Sequence, residues 1–148
     1  MDIPRMMAAD RVVMSLASRS KRDALGELAE VSTKSGAVAD VAALKNAILE
    51  REEIMSTGIG LGIAIPHAKI QAVREFVLAV GLSRSGIDYD SLDGLPVKII
   101  IMIAAPEGQQ NTYLRILAKV THVLREDATR AKILAAATPQ EIVELFRE

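Results

Sequence analysis

The chain holds two histidines, and one of them closes the run Ser56-Thr57-Gly58-Ile59-Gly60-Leu61-Gly62-Ile63-Ala64-Ile65-Pro66-His67. An imidazole can attack through one ring nitrogen while the other is hydrogen-bonded and sets the tautomer. Pro66 fixes its own φ and removes a backbone donor, which stiffens the approach to His67. The apolar residues 63–65 anchor that approach in the core and leave the ring at the rim of a sheet, where ligand sites of α/β folds gather. Against this stands the ordinary role of a lone histidine, structural or simply exposed. Arg51 lies sixteen residues upstream, in Glu50-Arg51-Glu52-Glu53. It is either half of a solvated ion pair or a forked donor turned in to counter a bound phosphate.

Other chemistries are poorly supplied. Gly58, Gly60 and Gly62 give G-x-G-x-G, without the third-glycine spacing of a dinucleotide fingerprint, and no Gly-Lys-Ser/Thr follows as in a P-loop. These glycines let the backbone turn sharply or approach another chain closely. Asp88-Tyr89-Asp90-Ser91-Leu92-Asp93-Gly94 fails as a calcium loop, because its glycine falls one place late and Leu92 occupies a ligand position. It reads as a turn between strands. No serine-hydrolase spacing is visible, and no second histidine stands at metal-ligand spacing. Without cysteine, disulfides, thiolate zinc sites and cysteine nucleophiles are excluded.

The elements that must carry these residues follow from periodicity. Ser20 is a candidate N-cap with Asp23 three residues on, opening a helix whose apolar positions are Leu25, Leu28, Ala29 and Val31. Residues 33–36 read as a break. A second helix over 40–54 places Val41, Leu44, Ile48 and Leu49 on one face and ends at the glycine run. Residues 76–82 and 97–104 read as strands, the second apolar almost throughout and so covered on both faces. Between them, Ser85-Gly86 and Asp93-Gly94 are turn signals. From Asn111 a helix is predicted with Leu114, Leu117, Thr121 and Leu124 recurring along it. Two shorter helices follow over 128–137 and 139–147, with Thr138 as N-cap and Pro139 at the first helical position. This order gives a single α/β domain over residues 1–148, a layered sheet with helices.

Composition agrees. Half of the 148 residues are apolar, and 18 basic against 19 acidic side chains give a net charge of −1. Nothing in that balance draws the chain to nucleic acid or anionic lipid. The N-terminal stretch makes a poor signal peptide, and no run reaches the ~18–20 apolar residues that cross a bilayer. A soluble cytoplasmic protein, without membrane insertion, is expected.

Residues 48–69, ILEREEIMSTGIGLGIAIPHAK, resemble the signature of EIIA components of the phosphoenolpyruvate-dependent sugar phosphotransferase system, fructose–mannitol class, which includes nitrogen-regulatory proteins. The likeness extends to GIDYDSLDGLPVKIIIMIAAPEG (residues 86–108), the following helix and SKRDALGELAE. The resemblance implies a mixed sheet with helices on both faces, of the phosphotransferase/anion-transport-protein kind. It implies that His67 accepts a phosphoryl group through Nε2 from the phosphocarrier HPr or a paralogue. The group then passes to an EIIB component or is held as a signal to a regulatory target. Arg51 falls where the family's phosphate-countering arginine stands, and Ser56 and Thr57 fall in the loop beside the site as expected phosphate-binding residues. No metal or diffusible cofactor is required. The glycines would let backbone amides and a partner's histidine come close.

One departure from the family pattern concerns the helix after AAPEG, where a second histidine usually precedes a leucine; here the pair is Tyr113-Leu114. His122 lies nine residues on and, at ~100° per residue, on the opposite side of that helix. Tyr113 can donate its phenolic proton to a phosphate oxygen but cannot become a cation. The expectation is an adduct on His67 held less firmly than usual.

Overall fold

The computed structural model describes residues 2–147. A six-stranded mixed sheet runs β1 (Val12–Val13), β5 (Val77–Ile87), β6 (Val97–Ala105), β3 (Ile63–Ala64) and β2 (Gly58–Gly60). β4 (His67–Lys69) pairs with β6 beyond the end of β3. β5 and β6 are antiparallel, whereas β1, β3 and β4 run parallel to the long strands they pair with. Pro66 separates β3 from β4 along one side of β6, so His67 enters opposite Ile103.

From Ile99 onward the side chains of β6 alternate between two cores. Ile99, Ile101, Ile103 and Ala105 pack against α1 (Ile3–Met7), α4 (Gln110–Arg125), α5 (Asp127–Ala135) and α6 (Pro139–Glu144). Ile100, Met102 and Ala104 pack against α2 (Lys21–Ser32) and α3 (Val41–Ile54). Cover on both faces explains why this strand is apolar without a break from Ile99 onward. Ile63 belongs to the first core and Ala64 to the second, so the approach to His67 is clamped from both sides.

The helix starts follow their caps. Ser20 accepts from the Asp23 amide, Asp40 from Ala43 and Thr138 from Glu141. Gly36, with φ of +77°, closes the break after α2. Asp2 caps α1, an unanticipated element that buries Ile3 and Met7.

Two sequence expectations are corrected. Ser85-Gly86 is not a turn: β5 continues through it to Ile87, with an irregular register between Leu82 and Ile87. Gly86 serves a close approach, because a Cβ there would lie 2.7 Å from Pro96 Cβ. The buried stripe of α4 is Tyr113, Ile116, Val120 and Leu124, while Leu114 is half exposed. His122 is exposed on the other side of that helix. The Asp88–Gly94 stretch is a loop between β5 and β6, as predicted.

Among the described residues, no helix is long and apolar enough to cross a membrane.

Candidate phosphoacceptor site

His67 is half-buried at the start of β4. Its Nδ1 lies 3.1 Å from the carbonyl oxygen of Ile65. A carbonyl only accepts, so Nδ1 carries the proton and Nε2 keeps the free lone pair. Burial pushes the imidazole below the usual histidine value of 6.5, the Ile65 carbonyl pulls it back up, and the nearby positive charges of Arg51 and Lys69 push it down again. The ring is therefore a neutral nucleophile at neutral pH, with its tautomer fixed by backbone.

Arg51, in the last turn of α3, donates from Nη1 to the Met55 carbonyl at 3.0 Å and so satisfies the end of its own helix. It lines, with Ala47, Glu50, Ile54, Lys69 and His67, one open depression between α3 and β4. The structure thus brings Arg51 and His67 together. Arg51 and Tyr113 also share a field, since the arginine's charge partly opposes the rise that burial imposes on the Tyr113 phenol. The Tyr113 ring is buried with its centroid 5.2 Å from that of His67, the two planes tilted by 44°. Tyr113 faces the His67 ring as a protonated phenol.

Ser56 and Thr57 sit in the loop entering β2, and both hydroxyls are engaged inside the protein. Ser56 Oγ donates to the Tyr89 carbonyl at 3.0 Å and accepts from the Gly58 amide at 3.1 Å. Thr57 is buried; its hydroxyl donates to Glu52 and lies 3.1 Å from the Tyr89 oxygen. These side chains shape the loop from within.

The organiser of that loop is Glu52, which the sequence reading passed over. It is 8 % exposed, accepts the Thr57 amide at 2.9 Å and the Tyr89 hydroxyl at 2.7 Å, and has Lys21 Nζ at 3.8 Å. Lys21 also stands over the Tyr89 ring, 4.5 Å from its centroid. A signal for Glu52 existed: Leu44, Ile48 and Glu52 recur every four residues on the buried face of α3. Arg51, one residue off that stripe, points to the opening. Lys69 was missed likewise, although it stands two residues beyond His67 on an extended strand and so shares its face.

The glycines build a hairpin. β2 and β3 are antiparallel, with Gly58 opposite Ala64 and Gly60 opposite Ile63. Gly60 and Gly62 have φ of +99° and +76°, and the Asp93 carboxylate accepts the intervening Leu61 amide at 3.0 Å. A Cβ on Gly58 would land on the Ser91 hydroxyl. Tight turning and close internal approach account for all three.

The profile of the family described as phosphoenolpyruvate-dependent sugar phosphotransferase system, EIIA 2, matches residues 5–148. The chain belongs to this family. It is 38% identical over 148 residues to a fructose-specific EIIABC component of Bacillus subtilis, covering all of this chain and 23% of that much longer protein. It is 33% identical over 147 residues to a fructose-specific EIIA component of Haloferax volcanii, covering 99% of this chain and 96% of that one. A nitrogen regulatory protein of Bradyrhizobium diazoefficiens is 33% identical over 143 residues, with 96% and 92% covered. Among solved structures, the nitrogen regulatory protein IIA-Ntr of Neisseria meningitidis superimposes with a TM-score of 0.91 at 23% identity, covering 97% and 98%. The mannitol EIIA of Escherichia coli, in complex with phosphorylated mannitol EIIB, superimposes at 0.81 with 20% identity, covering 95% and 96%. EIIA domains carry phosphoryl groups between components of this system, and relatives of this EIIA include both sugar-transport and nitrogen-regulatory members. The single-domain mixed sheet with helices on both faces is the fold of these EIIA structures.

Proposed function

We propose that His67 is the phosphoacceptor of this EIIA domain, taking a phosphoryl group from phosphorylated HPr or a paralogue and passing it to an EIIB component. The observation that carries the reading is the Nδ1–H bond to the Ile65 carbonyl, which leaves Nε2 unprotonated in a depression shared with Arg51. In the transfer the donor's N–P bond breaks as the Nε2–P bond forms, and the electron pair of the broken bond returns to the donor nitrogen. The Nδ1 proton stays against the Ile65 carbonyl throughout. Phosphoryl transfer asks for alignment and charge neutralisation more than for covalent help. Arg51 answers the second need when its guanidinium turns from the Met55 carbonyl onto the equatorial oxygens. Ser56 and Thr57 act indirectly, by holding the loop that backs the site. Tyr113 offers a phenolic proton to one phosphoryl oxygen.

Apolar side chains around the opening suit a protein partner. Ile54 lines the depression and is 80% exposed, Met55 follows it at 60%, and Leu114 stands half exposed beside Tyr113. The Escherichia coli mannitol EIIA, solved with its phosphorylated EIIB, supports an EIIB as recipient.

A second reading is favoured by the nitrogen regulatory relative at 33% identity. Here the phosphoryl group stays on His67 and its charge, roughly −1.5 to −2 by analogy with other phosphorylated side chains, decides which regulatory target binds. One experiment separates the two. The protein is labelled from phosphoenolpyruvate through enzyme I and HPr, and EIIB proteins are then added. Onward movement of label supports the relay; label that stops at His67, with partner binding that differs between the two states, supports the switch. A His67→Ala protein that still takes label refutes both.

A further inference from the structure

β4 is extended, so its side chains alternate: Ala68 is buried in the core against α2 and α3, while His67 and Lys69 stand together on the outer face. The Lys69 ammonium lies 2.5 Å from Gln110 Oε1 and 4.6 Å from the centroid of the Tyr113 ring. That ring is in turn 5.2 Å from the imidazole. The Tyr113 ring thus touches both the Lys69 ammonium and the His67 imidazole. Among the described residues Lys69 forms no ion pair, and its charge reaches His67, whose proton affinity it lowers. Its present partners are a neutral amide and a π-face, both far weaker holds on a cation than a phosphoryl dianion.

We propose that Lys69 is the second cation of the phosphorylated site, parked on Gln110 and Tyr113 in the free protein and turning onto the phosphoryl oxygens once His67 carries the group. The proposal rests on His67 being the acceptor. Two residues of strand separate Lys69 from His67 by about 6.6 Å at Cα, within the sweep of a four-carbon stem. With Arg51 from the α3 side and Lys69 from the β4 side, the phosphoryl group meets positive charge on two flanks. Tyr113 then has a job that its phenol alone does not explain: its ring holds the ammonium beside the acceptor until the dianion arrives.

The test measures the equilibrium of phosphoryl exchange with HPr, and the lifetime of the phosphohistidine, for the wild type, Lys69→Met and Lys69→Arg. Losing one charge-assisted contact predicts an equilibrium about tenfold less favourable for Lys69→Met, with most of it restored in Lys69→Arg. Gln110→Ala should retain the wild-type equilibrium or exceed it, since it removes a competing partner while the Tyr113 ring still keeps the ammonium beside the acceptor. A Lys69→Met protein with wild-type equilibrium and lifetime overturns the inference, as does an effect confined to KM for phosphorylated HPr, which would make Lys69 a docking residue. If wild-type protein takes no label at His67, the acceptor reading falls and this inference with it; if it labels and Lys69→Met matches it, only this inference falls.

Discussion

His67 Nδ1 stands 3.1 Å from the carbonyl oxygen of the residue two places back, Ile65. One backbone atom thereby decides which ring nitrogen is nucleophilic, and burial keeps that ring unprotonated below the ordinary histidine range. The His67 titration, followed by its ring carbon–proton NMR signals, should have a midpoint below 6.5. The linkage has a definite sign. Above pH 6.5 neither folded nor unfolded chain protonates this ring, so it contributes nothing to pH dependence. As pH falls through 6.5 the unfolded chain binds the proton first, so stability declines, and the decline stops once the folded ring is protonated. A midpoint at or above 6.5 would contradict the claim that burial keeps the ring unprotonated.

Glu52 holds the loop that backs the site, and the size of its effect follows from what it leaves behind. Glu52→Ala strands the buried Thr57 amide and the Tyr89 hydroxyl and removes the counter-charge near Lys21. Urea denaturation should record a loss of about 3–5 kcal/mol, the range for breaking a buried charged network from one side. Tyr89→Phe removes one donor and leaves the carboxylate bonded to Thr57, so it should lose only about 1–2 kcal/mol. Equal losses would mean that Glu52 does not organise the loop.

Much of this was legible in the sequence, for reasons that also mark its limits. The caps Ser20 and Thr138 could be read because one side chain and one amide three residues on settle a helix start. The unbroken apolar run of β6 announced cover on both faces. α4 misled because it carries two overlapping stripes that share Leu124, one through Leu114 and Leu117 and one through Tyr113, Ile116 and Val120. Only the sheet beneath decides which is inward. Glu52 stayed hidden because its spacing says buried and its charge says exposed, and the partners that reconcile the two, Thr57 and Tyr89, come from other segments. The arrangement of Lys69, Gln110 and Tyr113 is likewise tertiary: 41 residues separate the lysine from its amide partner.

Gly58 should tolerate no side chain while Ser91 stays as it is. A Cβ there would strike the Ser91 hydroxyl and come within 3.0 Å of its Cα. Gly58→Ala should therefore lose about 1–3 kcal/mol to overpacking. Paired with Ser91→Gly, which clears the hydroxyl and Cβ, the double variant should be more stable than the sum of single losses predicts. Strict additivity in thermal melts would show that the contact with Ser91 is not what excludes the side chain.

Tyr113→His restores an imidazole beside His67, and pH decides what that does. If Lys69 already supplies the second charge, the substitution weakens the hold on the ammonium, because an imidazole offers a poorer face than a phenol ring. A new cation then appears only as the introduced histidine protonates. The variant should match or fall below the wild type in phosphoryl-exchange equilibrium at pH 8 and gain on it as pH drops toward 6. Tyr113→Phe keeps the ring under Lys69 and should stay within about threefold of wild type throughout, the loss of one neutral hydrogen bond. A Tyr113→His protein that surpasses the wild type at pH 8 would mean that the site lacked something Lys69 does not provide, as the missing second histidine had suggested. One indistinguishable from wild type in exchange and adduct lifetime at every pH would take Tyr113 out of the site's chemistry altogether.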